Sequence, residues 1–344
     1  MKLKSGVRLL AAALWFFLSA VTFLLNPVLS HAASYFEGKT ITIVVGYKPG
    51  GGYDQTARLF AKYLPKYLPG NPTIIIQSMP GANSMIAANH LFSVAKPDGL
   101  TFGTFNRNLP IAQLTRVEGV KFDLTKFAWI GSPASETTVL AIRNDLPFKT
   151  FEDLRKSKQQ IVVGATGPGA NTYDFPLLLE QFAGVDFKLV SGYSSSSDIM
   201  LAIERKEVDA RAGSYSALKS FIDRNLVHPI VRSRAPDPNI DHLPVDEDLA
   251  TSAKGKAIMA IRSAPERIGR PYVAPPGTPA ETMKLLRDGF AKAAKDKELL
   301  AEAEKAQMPI EYVTADEAIK IIRTVLNQPP EMTQDLTKYI RFGE

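Results

Sequence analysis

The run TITIVV at residues 40–45 passes directly into the loop GYKPGGGYD, and Ala57, Phe60, Ala61 and Leu64 then recur at helical spacing. A β-branched run bounded by glycine reads as a buried strand, so a strand hands over to a helix through three consecutive glycines. The order continues with TIIIQ (residues 73–77), a PGANS turn, a helical MIAANHLFSVA stopped by Pro97, and a third strand in LTFGTF (residues 100–105). Such alternation confines the chain to an α/β architecture in which helices cover a parallel sheet.

The opening logic recurs at IVVGATGPGANTYDFPLLLEQFAG (residues 161–184): strand, glycine-rich loop, helix. In an open α/β sheet, ligands sit beyond the carboxyl ends of the strands, where helix N-termini point unpaired N–H groups outward. Glycine lets the backbone come close to an anion, and the helix dipole favours negative charge there. One helix N-terminus contributes only about 0.3–2 kcal/mol toward an anion, whereas micromolar binding needs roughly 8 kcal/mol. Two facing loops with four or more charge-assisted hydrogen bonds, at about 1.5–3 kcal/mol each, reach that figure. Nucleotide motifs do not match. Gly51 is followed by Gly52 and Tyr53 where a P-loop needs Lys and Ser or Thr, and Gly167-x-Gly169 meets Thr172 where a Rossmann loop needs glycine.

Residues 1–32 read as a cleavable export signal. Lys2, Lys4 and Arg8 precede an uncharged apolar run over residues 9–25, and SHAA supplies the small residues of a cleavage site after Ala32. An uncleaved membrane anchor is the alternative. The chain has no cysteine, which rules out a lipidated cysteine, disulfides and thiol chemistry. The formal charge of +6 falls to +3 once the three signal cations are removed, too little to imply nucleic acid. The three histidines beyond the signal, His90, His228 and His242, have no ligand spacing, and neither H-E-x-x-H nor G-x-S-x-G occurs. No metal or cofactor is expected, and catalysis by Asp54 and Asp174 is disfavoured because aspartate at a helix start is usually a cap.

Beyond the signal, Tyr47, Gly50, Gly51 and Asp54 in the first loop and Pro80, Gly81 and Ala82 in the next are followed by KPDGLTFG (residues 96–103), VVGATGPGANT, EVDA (residues 207–210) and APPGTPAE (residues 274–281). Their order and spacing carry a resemblance to the substrate-binding proteins of tripartite tricarboxylate transporters, the Bug family. It implies a type II periplasmic binding protein fold: two α/β lobes, each a mixed sheet flanked by helices, with a ligand cleft between them. The limits expected are residues 36–134 and 260–344 for lobe 1 and residues 135–259 for lobe 2.

The implied function is periplasmic: capture of a small organic carboxylate and delivery to a membrane transporter of the tripartite type, without chemistry, by a monomer. An exported enzyme acting on a small carboxylate and a ligand-sensing subunit of a membrane receptor are the alternatives. By this resemblance Tyr47, Gly50, Gly51 and Asp54 belong to one clamp, with Lys48 and Tyr53 as further candidates in the same loop. Thr166, Gly169, Ala170 and Asn171 belong to the other. Three departures stand out. Gly46 replaces a common proline, Asn171-Thr172-Tyr173 replaces a common Ser-Ser-x-His, and Gly213 stands where amino-acid binders place an aspartate. An amino-acid ligand is therefore disfavoured. Arg211 in the same strand is a candidate positive group, with a surface salt bridge as the alternative.

Overall fold

A computed structural model describes residues 35–341, so the export-signal reading lies outside the described residues. Strand β1 (Thr40–Val45) leads to helix α1 (Gly52–Tyr63), β2 (Thr73–Ser78), α2 (Met85–Ser93), β3 (Thr101–Thr104), α3 (Leu109–Leu114) and β4 (Ala128–Ser132). The chain then crosses over at residues 133–137. A second unit follows: β5 (Thr138–Arg143), α4 (Phe151–Lys156), β6 (Ile161–Gly164), α5 (Asn171–Ala183), β7 (Phe187–Val190), α6 (Ser196–Glu204), β8 (Ala210–Ser214), α7 (Tyr215–Asp223) and β9 (Val227–Arg232). Helix α8 (Ala253–Ser263) leads back to β10 (Tyr272–Ala274), α9 (Ala280–Ala293), α10 (Lys297–Lys305), β11 (Val313–Thr314), α11 (Ala315–Leu326) and α12 (Pro330–Tyr339).

The strands form two sheets, of order β11-β4-β10-β3-β1-β2 and β7-β6-β8-β5-β9. Within the first, β1 runs parallel to β2 and β3, with Thr40 opposite Thr73 and Thr42 opposite Thr101, and β10 returns antiparallel between β3 and β4. Within the second, β6 is parallel to β7 and β8, while β5 runs antiparallel to β8 and β9. Both sheets are mixed and helix-covered: the parallel pairs follow the alternating pattern, the antiparallel β5 and β10 depart from it, and the two α/β lobes are those the family resemblance implies.

The period-2 geometry of β1 explains its all-apolar sequence. Ile41, Ile43 and Val45 point to one face, where Phe60 of α1 stacks on Phe290 of α9 at 4.3 Å, while Val44 points to the other, with Leu91, Phe105 and Trp129. That second apolar layer continues under the crossing segments into Leu140, Ile142 and Val163 of the second sheet. Helix α12 closes it from the far side. Its Tyr339 meets Phe182 of α5 edge-on at 4.9 Å, with Leu336 buried beside it. At about 1.5–3 kcal/mol for each large apolar side chain buried, this layer holds the two sheets on a common apolar floor.

Helix α11 begins with a capping box. The Thr314 hydroxyl accepts from the Glu317 N–H and the Glu317 carboxylate accepts from the Thr314 N–H. Thr314→Ala is therefore expected to lower the unfolding free energy by about 0.5–2 kcal/mol. A denaturant midpoint equal to that of the unaltered protein would contradict it.

Candidate functional site

The first glycine corner joins β1 to α1. Gly50 has φ +93, a conformation that suits glycine, whereas nothing lies within 4 Å of a side chain added at Gly50 or Gly51. Gly52 is different: a Cβ there would sit 2.7 Å from the Arg270 guanidinium. The Asp54 carboxylate accepts the Gly50 N–H at 2.9 Å and Arg58 Nε at 2.9 Å, and is 2% exposed. Burial pushes its pKa up, but the hydrogen bonds from Arg58 and Gly50 outweigh that and hold it below the ordinary carboxylate value. Asp54 thus closes its own loop.

The second corner is built the same way. The Gly169 N–H donates to Asp174 Oδ1 at 3.0 Å, and Thr172 Oγ1 accepts the Thr166 N–H at 3.0 Å. Burial pushes the Asp174 carboxyl up to about 7 against the Gly169 N–H and Arg262, which act the other way. The amides of Gly50, Thr166 and Gly169 are therefore occupied by side chains of the helix that follows each. This corrects the expectation that glycine amides alone point at a ligand. A short polar side chain one turn into a helix satisfies the bent corner before it.

What meets the second corner from the first lobe is Asn106-Arg107-Asn108, the corner between β3 and α3. Asn106 Nδ2 donates to the Gly169 carbonyl at 3.2 Å, and Asn108 Nδ2 donates to Asn171 Oδ1 at 2.7 Å. Asn171 in turn donates to Thr138 Oγ1 at 2.8 Å, and Asn83 donates to the Pro168 carbonyl. Between these amides lies Arg107, 5% exposed. Its backbone N–H donates to the Tyr53 hydroxyl at 3.1 Å, and Tyr53 stacks on Tyr47 at 4.6 Å. Its Nη2 reaches only hydroxyls, Ser214 at 3.3 Å and Thr138 at 3.5 Å, both near the limit of a hydrogen bond. Among the described residues, its Nε has no hydrogen-bond partner.

Among the described residues, no carboxylate lies within 4.0 Å of Arg107. Burial weakens its charged form, but Tyr53, Glu266, Glu136 and Tyr47 favour it, and the net direction is upward. Arg107 is a buried cation with spare donors. Nearby Arg270 is matched instead: Nη2 pairs with Glu136 Oε1 at 2.7 Å and Nη1 donates to Thr56 Oγ1 at 3.0 Å.

Of the candidates read from the sequence, Tyr47, Tyr53, Gly169 and Asn171 gather around Arg107, with Thr166 and Ala170 in the same second corner. Gly51 and Lys48 are exposed. Arg211 stands apart from the Arg107 contacts, on the opposite face of β8. Its Nη1 donates to the Ser196 carbonyl at 3.2 Å and its Nε to the Ala212 carbonyl at 3.3 Å, with 3% exposure. Among the described residues it makes no salt bridge, so the surface-pair alternative does not hold. Burial pulls its guanidinium pKa down to about 10. The guanidinium also explains Gly213, where a Cβ would lie 2.8 Å from Nη2. Arg107 was passed over in the sequence, although a cation directly after a parallel strand is a signal of its own.

The comparisons with known proteins decide the family. The tripartite tricarboxylate transporter family receptor, TctC, matches residues 56–337. The chain belongs to that family. A relative from Cupriavidus necator, described as a UPF0065 protein in the gbd 5′ region, is 26% identical over 276 residues, covering 76% of each chain. Among solved structures, the periplasmic binding protein BugD superposes with a TM-score of 0.70 at 17% identity, over 89% of this chain and 100% of its own. MatC from Rhodopseudomonas palustris, with bound malate, gives 0.67 at 19%, over 86% and 98%. These likenesses show that this TctC-family receptor has the two-lobed fold of periplasmic binding proteins.

Proposed function

We propose that this TctC-family receptor captures a small organic carboxylate between its lobes in the periplasm and delivers it to a tripartite membrane transporter. The observation that carries the reading is Arg107: a buried guanidinium where the two lobes meet, its side chain bonded only to neutral hydroxyls and its Nε unpartnered among the described residues. A charge left so is costly unless an anion meets it, and a carboxylate would supply charge-assisted hydrogen bonds about twice as strong as neutral ones. Malate in MatC fits this reading. In it, Tyr47 and Tyr53 wall the ligand, Asn171 and the corner around Gly169 close over it, and Lys48 guides anions at the rim. The moving bodies are residues 36–134 with 260–329 and residues 135–259 with α12, a departure from the expected limits that follows Tyr339 onto Phe182.

The test is thermal unfolding of the purified protein against mono-, di- and tricarboxylates. A ligand that binds only the folded state adds RT ln(1 + [L]/Kd), about 2.7 kcal/mol at a hundredfold excess over Kd. At least one acid is expected to raise the melting temperature in a concentration-dependent way. No shift from any of them at millimolar concentration would end the carboxylate assignment.

A further inference from the structure

Between β2 and α2 the chain keeps a positive φ through four consecutive residues: Gly81 at +132, Ala82 at +45, Asn83 at +49 and Ser84 at +75. Glycine takes such angles freely and asparagine tolerates them, but in alanine and serine the Cβ is pressed against the following carbonyl. A run like this persists only where the surrounding contacts over-determine it.

The side chains of this turn are held from two different lobes. Ser84 is buried and fastened to the first lobe. Its hydroxyl donates to the Gly46 carbonyl at 3.0 Å, and a Cβ on Gly46 would lie 2.5 Å from the Ser84 Cβ, so glycine at position 46 makes room for it. Asn83 is held from the second lobe, where its Nδ2 donates to the Pro168 carbonyl. Ala82 is exposed, so burial of its methyl does not keep it in place. Asn106 and Asn108 also cross the junction, to Gly169 and Asn171, but from backbone with ordinary angles. Of these three crossing asparagines, only Asn83 reaches out from a strained turn. When the lobes part, Asn83 loses Pro168 while Ser84 keeps Gly46. Ala82 and Asn83 can then return to negative φ, and closing must restore the strained angles.

We propose that Gly81–Ser84 is a spring between the lobes: Asn83 is a positioning residue that latches the second lobe, and the left-handed backbone at Ala82 loads the turn toward opening. The latch offsets the load only when the second corner arrives. An empty receptor with such a spring favours the open form and must draw the energy of closing from whatever it binds. Its apparent affinity is then reduced by the closed fraction, and release is faster than from an unloaded junction.

The experiment uses the protein without ligand, so its outcome is independent of the carboxylate reading. The chain has no cysteine, so spin labels can be placed on Glu118→Cys in the first lobe and Gln159→Cys in the second, both exposed positions. Double electron–electron resonance then gives the ratio of shut to open molecules, the shut distance being that of this structure. Ala82→Gly removes the load and keeps the latch, and is expected to raise that ratio about fivefold. Asn83→Gly keeps the backbone angles and removes the latch, and is expected to lower it about threefold or more. Misfolding cannot produce a gain of the shut form, so Ala82→Gly decides the matter even where Asn83→Gly disturbs the turn. A turn with a merely structural role would move the denaturation midpoint and leave the ratio alone. A ratio in Ala82→Gly equal to or below that of the parent would overturn the proposal.

Discussion

Replacing Arg262 with methionine is expected to cost about 3–5 kcal/mol of stability at neutral pH, because it strips the cation from a buried cluster of acids. Arg262 is 0% exposed, pairs with Glu266 Oε1 at 2.7 Å and sits 4.8 Å over the Phe175 ring. Asp174 and Asp246 are buried beside it, at 0% and 1% exposure. Three carboxyl groups thus share one guanidinium, and burial pushes Asp246 up to about 8 and Asp174 up to about 7, with Arg262 acting against both shifts. A carboxyl raised in the folded state keeps a proton that the unfolded chain releases. Its contribution is full below the ordinary value of 3.8 and is lost as pH climbs through about 7 to 8. Without the guanidinium those shifts grow, so the penalty should be larger near pH 8.5 than near pH 5. Denaturant titration at the two pH values measures it; a loss below about 1 kcal/mol, equal at both, would show that the groups are not coupled.

The cluster matters to the site because each acid also holds a piece of it. Asp174 fixes the Gly169 N–H, and Glu266 Oε2 accepts the Thr138 N–H at 3.0 Å and the Ser233 hydroxyl. Thr138 is the residue whose hydroxyl meets Arg107 and Asn171. Loosening the acids would therefore disturb the second corner and the contact of Thr138 with Arg107 together.

Much of this architecture is readable in the sequence, for physical reasons that differ by element. TITIVV and IVVG are buried on both faces, so their apolar runs leave only a strand in an α/β sheet. Thr150 with Asp153 and Thr314 with Glu317 follow a local capping rule, and both boxes form. The glycine corners are local too. Which way their amides point is not, since Asp54 and Asp174 claim Gly50 and Gly169 through bonds that depend on the loop's final shape. Arg107 and Arg211 are harder still. A cation's role depends on which carboxylates the fold brings near it, and Arg107 meets Thr138 and Ser214 across the lobe boundary, 31 and 107 positions along the chain. Only tertiary structure separates an unmatched arginine from a matched one such as Arg270.

The junction itself offers the second large effect. Gly269→Ala is expected to destabilise the fold by about 4 kcal/mol or more. Gly269 has φ +63 with ψ −106, and a Cβ on it would lie 1.7 Å from the Ala134 carbonyl oxygen. Both partners are backbone, so no rotamer change relieves the clash. Ala134 belongs to the first crossing segment and Gly269 immediately precedes Arg270, whose N–H donates to Ser132 Oγ at 3.0 Å and whose side chain pairs with Glu136. Relief requires moving one crossing segment off the other, which pulls Arg270 from its partners. Gly51→Ala is the control: nothing lies within 4 Å of that added methyl, and as an N-cap change it should cost no more than about 1 kcal/mol. Chemical denaturation of the two variants side by side gives the answer. Equal midpoints would mean that the crossing segments do not touch at Gly269, and with that contact would go the pairing of Arg270 to Glu136 that singles out Arg107 as the unmatched charge.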